Sequence, residues 1–111
     1  MNIQLRAKNI KSNGALQRFV SRRLDPILER YADRIDWVRV TFQDVNGPKG
    51  GEDILCRAQV ALSGATVVVE AFGVDPFQAV SRTMARLRLK LSSRFERLRN
   101  RRRQASRPQP A

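Results

Sequence analysis

Arg82, Arg86, Lys90, Arg94, Arg97 and Arg101 recur at three- and four-residue spacing near the end of the chain. On a helix they share a sector about 120° wide and roughly 28 Å long. A cation row of that length suits phosphates: it neutralises and positions a ribose-phosphate backbone without reading bases. An ordinary solvated face mixes signs to gain i,i+4 pairs, whereas this sector holds no acid. Arg18, Arg22 and Arg23, much earlier, either extend the patch or pair locally with Asp25, Glu29 and Asp33. Arg99, Arg101, Arg102 and Arg103 either place charge by a helix C-terminus or form an anchoring arm.

Other chemistry is thinly represented. The chain has no histidine, which excludes a Ser-His or Cys-His nucleophile and any imidazole-based metal site. Cys56 is the one cysteine, so no internal disulfide forms, and it reads as a small core residue of a protein in a reducing cytosol. The glycine-rich stretch around Lys49 lacks the phosphate-loop spacing and is followed by a strand pattern, so it reads as a hairpin loop. Asp44, Glu52 and Asp53 read as soluble loop acids rather than a cation site, and Trp37 and Phe72 read equally as packing aromatics or as base-stacking platforms. Neither an enzyme nor a cofactor, metal or small-molecule substrate is expected.

Charge asymmetry points the same way. The chain holds 22 basic and 10 acidic residues in 111; residues 1–81 carry 11 basic against 9 acidic, and residues 82–111 carry 11 basic against Glu96 alone. Clustered cations repel one another unless a polyanion neutralises them. No run of about 18 apolar residues occurs and no apolar leader follows the first charges, so secretion and membrane insertion are not expected.

The elements that position these residues follow from periodicity. Residues 2–8 alternate, with Ile3, Leu5 and Ala7 on one face of a strand. Ser12-Asn13-Gly14 supplies a stop and a cap, and Leu16, Phe19, Val20, Leu24, Ile27, Leu28 and Tyr31 trace a first helix over about 13–33, with a kink or break expected near Asp25 because Pro26 lies inside it. Period two returns at 37–45, with Val38, Val40 and Phe42 inward. Asn46–Asp53 reads as a loop; Ile54, Cys56, Ala58, Val60 and Leu62 form a third strand; Ser63-Gly64 turns into a fourth with Val67, Val69 and Ala71. Asp75-Pro76 caps a second helix whose core stripe is Val80, Met84, Leu87, Leu91, Phe95 and Leu98, ending at about 102. The expected fold is α+β, β-α-β-β-β-α: a four-stranded mixed sheet with both helices on one face, its first two strands parallel through a right-handed crossover and the rest a meander. Residues 1–103 form one domain, and 104–111 read as a disordered basic tail.

Element order, the segment Asp44-Val-Asn-Gly-Pro-Lys-Gly-Gly-Glu-Asp-Ile-Leu-Cys-Arg57 and the helix start Asp75-Pro-Phe-Gln-Ala-Val80 together resemble the ribosome hibernation-promoting factors. That family includes the ribosome-associated inhibitor A proteins, formerly labelled sigma-factor modulation proteins. The resemblance covers residues 1 to about 98, and Arg86-Leu87 through Leu91 continues it. It implies a cytoplasmic, stress-related translation inhibitor that binds the small ribosomal subunit between head and body, contacting ribosomal RNA through basic residues of both helices. The matching positions are Arg22 and Arg23 on the first helix and Arg82, Arg86, Lys90 and Arg94 on the second. Asp25 and Pro26 interrupt the family's basic first helix, and Ser81 stands where an acid is common. An arginine-rich tail takes the place of the second domain of the long forms, so pairing of ribosomes through such a domain is not expected.

Two rival functions are compatible with the residues alone: a general double-stranded-RNA binder, and a protein-interaction regulator of the transcription machinery. A membrane-surface helix is disfavoured because Leu89 is the one large apolar residue opposite the core stripe of the second helix.

Overall fold

Alternation and helical periodicity divide the chain into strands and helices, and a computed structural model shows how these pack. It describes residues 2–8, 14–45 and 53–106, with side chains at residue 4, 14–45 and 53–97. The elements are β1 (Asn2–Lys8), α1 (Gly14–Tyr31), a 3-10 turn (Ala32–Arg34), β2 (Ile35–Asp44), β3 (Ile54–Leu62), β4 (Ala65–Gly73) and α2 (Pro76–Ser106). β2, β3 and β4 form a three-stranded antiparallel meander, and β1 lies parallel to β2, giving the order β1-β2-β3-β4.

The pleat sorts the side chains. Val38, Val40 and Phe42 of β2, Cys56, Ala58 and Val60 of β3, and Val67 and Val69 of β4 are buried on one face. They share a core with Leu16, Val20, Leu24 and Ile27 of α1 and Val80, Met84, Leu87, Leu91 and Phe95 of α2. Both helices therefore cover the same face. Phe19 meets Phe77 edge-on at 5.1 Å, and Tyr31 stacks on Phe95 at 4.5 Å. These pairs, one near each end of α1, fix the helices side by side in the same direction.

The β3–β4 turn needs Gly64, whose φ of +81° lies in the left-handed region. Gly73 has a different role. A Cβ there would sit 2.5 Å from the backbone nitrogen of Ala79, so the absent side chain lets the first turn of α2 close onto the end of β4. Asp75 caps that turn: its Oδ1 accepts from the Gln78 N–H at 2.8 Å, while Gln78 Oε1 accepts from the Val74 N–H at 2.9 Å.

Three expectations need correction or adjustment. α1 runs as one helix through Pro26, with no break near Asp25. The ring removes one N–H, but the buried residues Leu24, Ile27 and Leu28 flank it and packing holds the helix together. The last turn expected of α1 is the 3-10 turn Ala32–Arg34. α2 passes its expected stop near 102 and reaches Ser106, so residues 104–106 of the expected tail are helical. Arg, Gln and Ala propagate a helix well, and no proline intervenes before Pro108. The Ser12-Asn13 cap, the loop segment 46–52, the Leu98 side chain and residues 107–111 lie outside the described residues.

Candidate nucleic-acid interface

α2 positions most of the cations, and its core stripe sets their direction. Leu87 and Leu91 are fully buried, which turns Arg82, Arg86, Lys90, Arg94 and Arg97 outward along the flank beside β4, all exposed. β4 pairs with β3 on one side only, and its other edge faces this flank. Arg82 Nη1 donates to the Phe72 carbonyl at 2.9 Å, Arg86 Nη1 to the Glu70 carbonyl, and Lys90 Nζ to the Val68 carbonyl at 3.2 Å. The helix advances about 6 Å in four residues and the strand about 6.8 Å in two, so the two ladders stay in register as they run antiparallel. The sequence row is thus also a set of caps on an edge strand, a role periodicity alone does not reveal.

The caps stop at Lys90. Among the described residues Arg94 and Arg97 have no hydrogen-bond or ion-pair partner, and both are exposed. They line a groove of about 690 Å³ with Val69, Arg86, Leu89, Lys90 and Ser93. Val69 and Leu89 are its apolar members, and no acid lines it among the described residues. Each guanidinium can offer several N–H donors to a phosphate, and a capped arginine keeps those that its carbonyl does not use. Arg101 lies on the helical backbone further along, its side chain outside the described region.

Arg22 and Arg23 do not join this row. They lie on the other flank of α2, where they line a smaller groove of about 250 Å³ with Pro26, Ile27, Ser81, Met84, Ala85 and Arg88. Arg23 also sits over the Phe19 ring, 5.3 Å from its centre. No ion pair joins Arg22 or Arg23 to Asp25, Glu29 or Asp33 among the described residues, so local pairing is not how these charges are spent. Arg88 is the residue the sequence reading missed. It lies outside the 120° sector, and only the packing of α1 against α2 brings it beside Arg22 and Arg23. Its helical angle, on the side of α2 away from the row, was the available signal.

The open face of the sheet is less basic. Arg57 pairs with Glu70 at 3.7 Å with both side chains 53% exposed, Arg39 stacks on Trp37 at 5.2 Å, and Arg39 Nε donates to Gln4 Oε1 at 3.2 Å. Cys56 is fully buried, and burial pushes its thiol up to about 11, with the Thr83 hydrogen bond pulling the other way. It is a packing residue, as its strand position predicts. Among the described residues no group of histidine, cysteine and carboxylates is placed to hold a metal ion, and no helix is long and apolar enough to cross a membrane.

No family model matches the sequence, nor does any curated protein. Solved structures do. A ribosomal subunit interface protein from Coxiella burnetii superposes with a TM-score of 0.73 at 24% identity, over 86% of this chain and 99% of that one. The N-terminal domain of Protein Y from Thermus thermophilus superposes with a TM-score of 0.66 at 27% identity, over 81% of this chain and 94% of that one. The chain has the fold of these two proteins, both of the hibernation-promoting factor family that its sequence resembles.

Proposed function

We propose that this protein binds the small ribosomal subunit through ribosomal RNA and inhibits translation by occupying the decoding channel. The observation that carries the reading is the acid-free cation row of α2, with a separate basic group of Arg22, Arg23 and Arg88 on the other flank of the helix. The likeness to a ribosomal subunit interface protein supports the ribosome as the source of the phosphates.

The mechanism is steric exclusion with charge neutralisation. No bond is made or broken, and no cofactor, metal or small-molecule substrate takes part. Each phosphate engaged releases condensed counterion, which makes binding steeply salt-dependent. Phosphate contacts position the domain, and the shape of the RNA rather than base identity selects the site. The cytoplasm is the compartment this reading requires.

Sedimentation of a cell extract through a sucrose gradient at low salt tests it. The protein is expected with the small-subunit and whole-ribosome fractions, and excess duplex RNA is expected to leave it there. Recovery only at the top of the gradient contradicts the reading. Displacement by duplex RNA favours a general RNA binder, and capture by RNA polymerase after nuclease treatment favours a transcription regulator.

A further inference from the structure

β4 is a nine-residue edge strand with Val67, Val68 and Val69 in succession. Such an edge offers backbone groups to any further strand, and folded proteins protect against this, often with long charged side chains. The carbonyls of Val68, Glu70 and Phe72 are taken by Lys90, Arg86 and Arg82 respectively. In an antiparallel strand the N–H and C=O of one residue point the same way, so these residues mark the side turned away from β3. Three side chains from one helix therefore lie across the line a fifth strand would follow.

We infer that Arg82, Arg86 and Lys90 guard the β4 edge, and that the strand they exclude is β4 of a second copy of this chain. The edge is self-complementary. Antiparallel pairing about a two-fold axis at Val69 sets Val68 opposite Glu70 and Thr66 opposite Phe72, so Glu70 never faces its own copy and the 44%-exposed Phe72 gains cover. The same axis brings together two rows of Arg82, Arg86, Lys90, Arg94 and Arg97. Repulsion between the rows therefore adds to the obstruction, and a pairing that the backbone favours is held off by side chains. This role belongs to the free protein and does not depend on the ribosome-binding reading.

The test is the mass of the purified full chain by light scattering across micromolar concentrations, with circular dichroism to establish that each variant is folded. The wild type is expected to be monomeric. Arg86→Met with Lys90→Met keeps the apolar stems but removes donors and charge, and is expected to double its mass as concentration rises. Adding Val68→Pro is expected to restore the monomer: the Val68 N–H points off the sheet, so proline removes an edge donor and none of the sheet's own bonds. The pair Arg86→Gln and Lys90→Gln, run in parallel, gives the same reading if the methionine pair lowers folding. A folded glutamine or methionine pair that stays monomeric overturns the inference. So does a wild type that is already dimeric, association that survives Val68→Pro, or a mass that is not a multiple of the chain.

Discussion

The two halves of the cation row on α2 have the same residue types and the same spacing, yet different surroundings. From Arg82 to Lys90 each side chain is held by a carbonyl of β4. At Arg94 and Arg97 the side chains stand in a groove with no hydrogen-bond or ion-pair partner among the described residues. A tethered cation is already oriented and serves the strand edge. An untethered one has all its donors for a ligand but must be ordered when it binds. Stability and affinity should therefore separate along the row.

The largest effect comes from removing the platform beneath both halves. Leu91 is fully buried between them, so Leu91→Ala is expected to cost about 2–5 kcal/mol, a large share of what a domain of this size has. Urea unfolding measures it. A midpoint that does not move would show that the row has no packed support.

Alkaline titration probes the same platform. The Cys56 thiol ionises near 11 in the folded chain against a normal 9.0, because burial disfavours the thiolate. Between those values the folded chain keeps a proton that the unfolded chain has lost, so stability falls as pH rises through the window, by about 2–3 kcal/mol. The same measurement on Cys56→Ala should lack this slope. Identical pH profiles for the two proteins would contradict the burial.

Gly73→Ala comes next. The added carbon meets the backbone nitrogen of Ala79, which cannot rotate away, so α2 must shift on β4 at about 1–3 kcal/mol. Because that shift breaks the register of helix and strand, amide exchange should rise along β4. Wild-type exchange in the variant would show that the register is not set there.

The smallest effects on stability are the most informative about the comparison. Replacing Arg94 and Arg97 by Gln should leave unfolding within about 0.5 kcal/mol of wild type, since exposed cations contribute little. The pair should nonetheless weaken ribosome binding and make its salt slope shallower by roughly 1.5–2. Replacing Arg86 and Lys90 by Gln should cost more stability, about 0.5–1 kcal/mol at dilutions where the variant is monomeric, and change the salt slope less. Equal behaviour of the two pairs in both measurements would erase the distinction.

The packing of Phe42, Cys56 and Leu87 was legible before any coordinates, because buried faces impose a period of two on strands and 3.6 on helices. Asp75-Pro76 announced the start of α2 for an equally local reason: a cap needs only a side-chain oxygen three residues from its donor. The failures were local expectations overruled by packing or continuation. Pro26 signals a break, but its buried neighbours hold α1 together, and the helix beyond residue 102 continues because nothing in its sequence stops it.

The cation row itself was visible in the sequence, since six like charges at helical spacing describe a face wherever the helix lies. What each cation does was not. Which of them reach a carbonyl depends on the edge strand lying beside α2 in antiparallel register. That Arg88, outside the row, joins Arg22 and Arg23 depends on α1 packing against the other flank. Both are distances between residues far apart in the chain, and only the tertiary structure decides them: periodicity sets the angle of a side chain about its own helix and carries no information about what stands opposite.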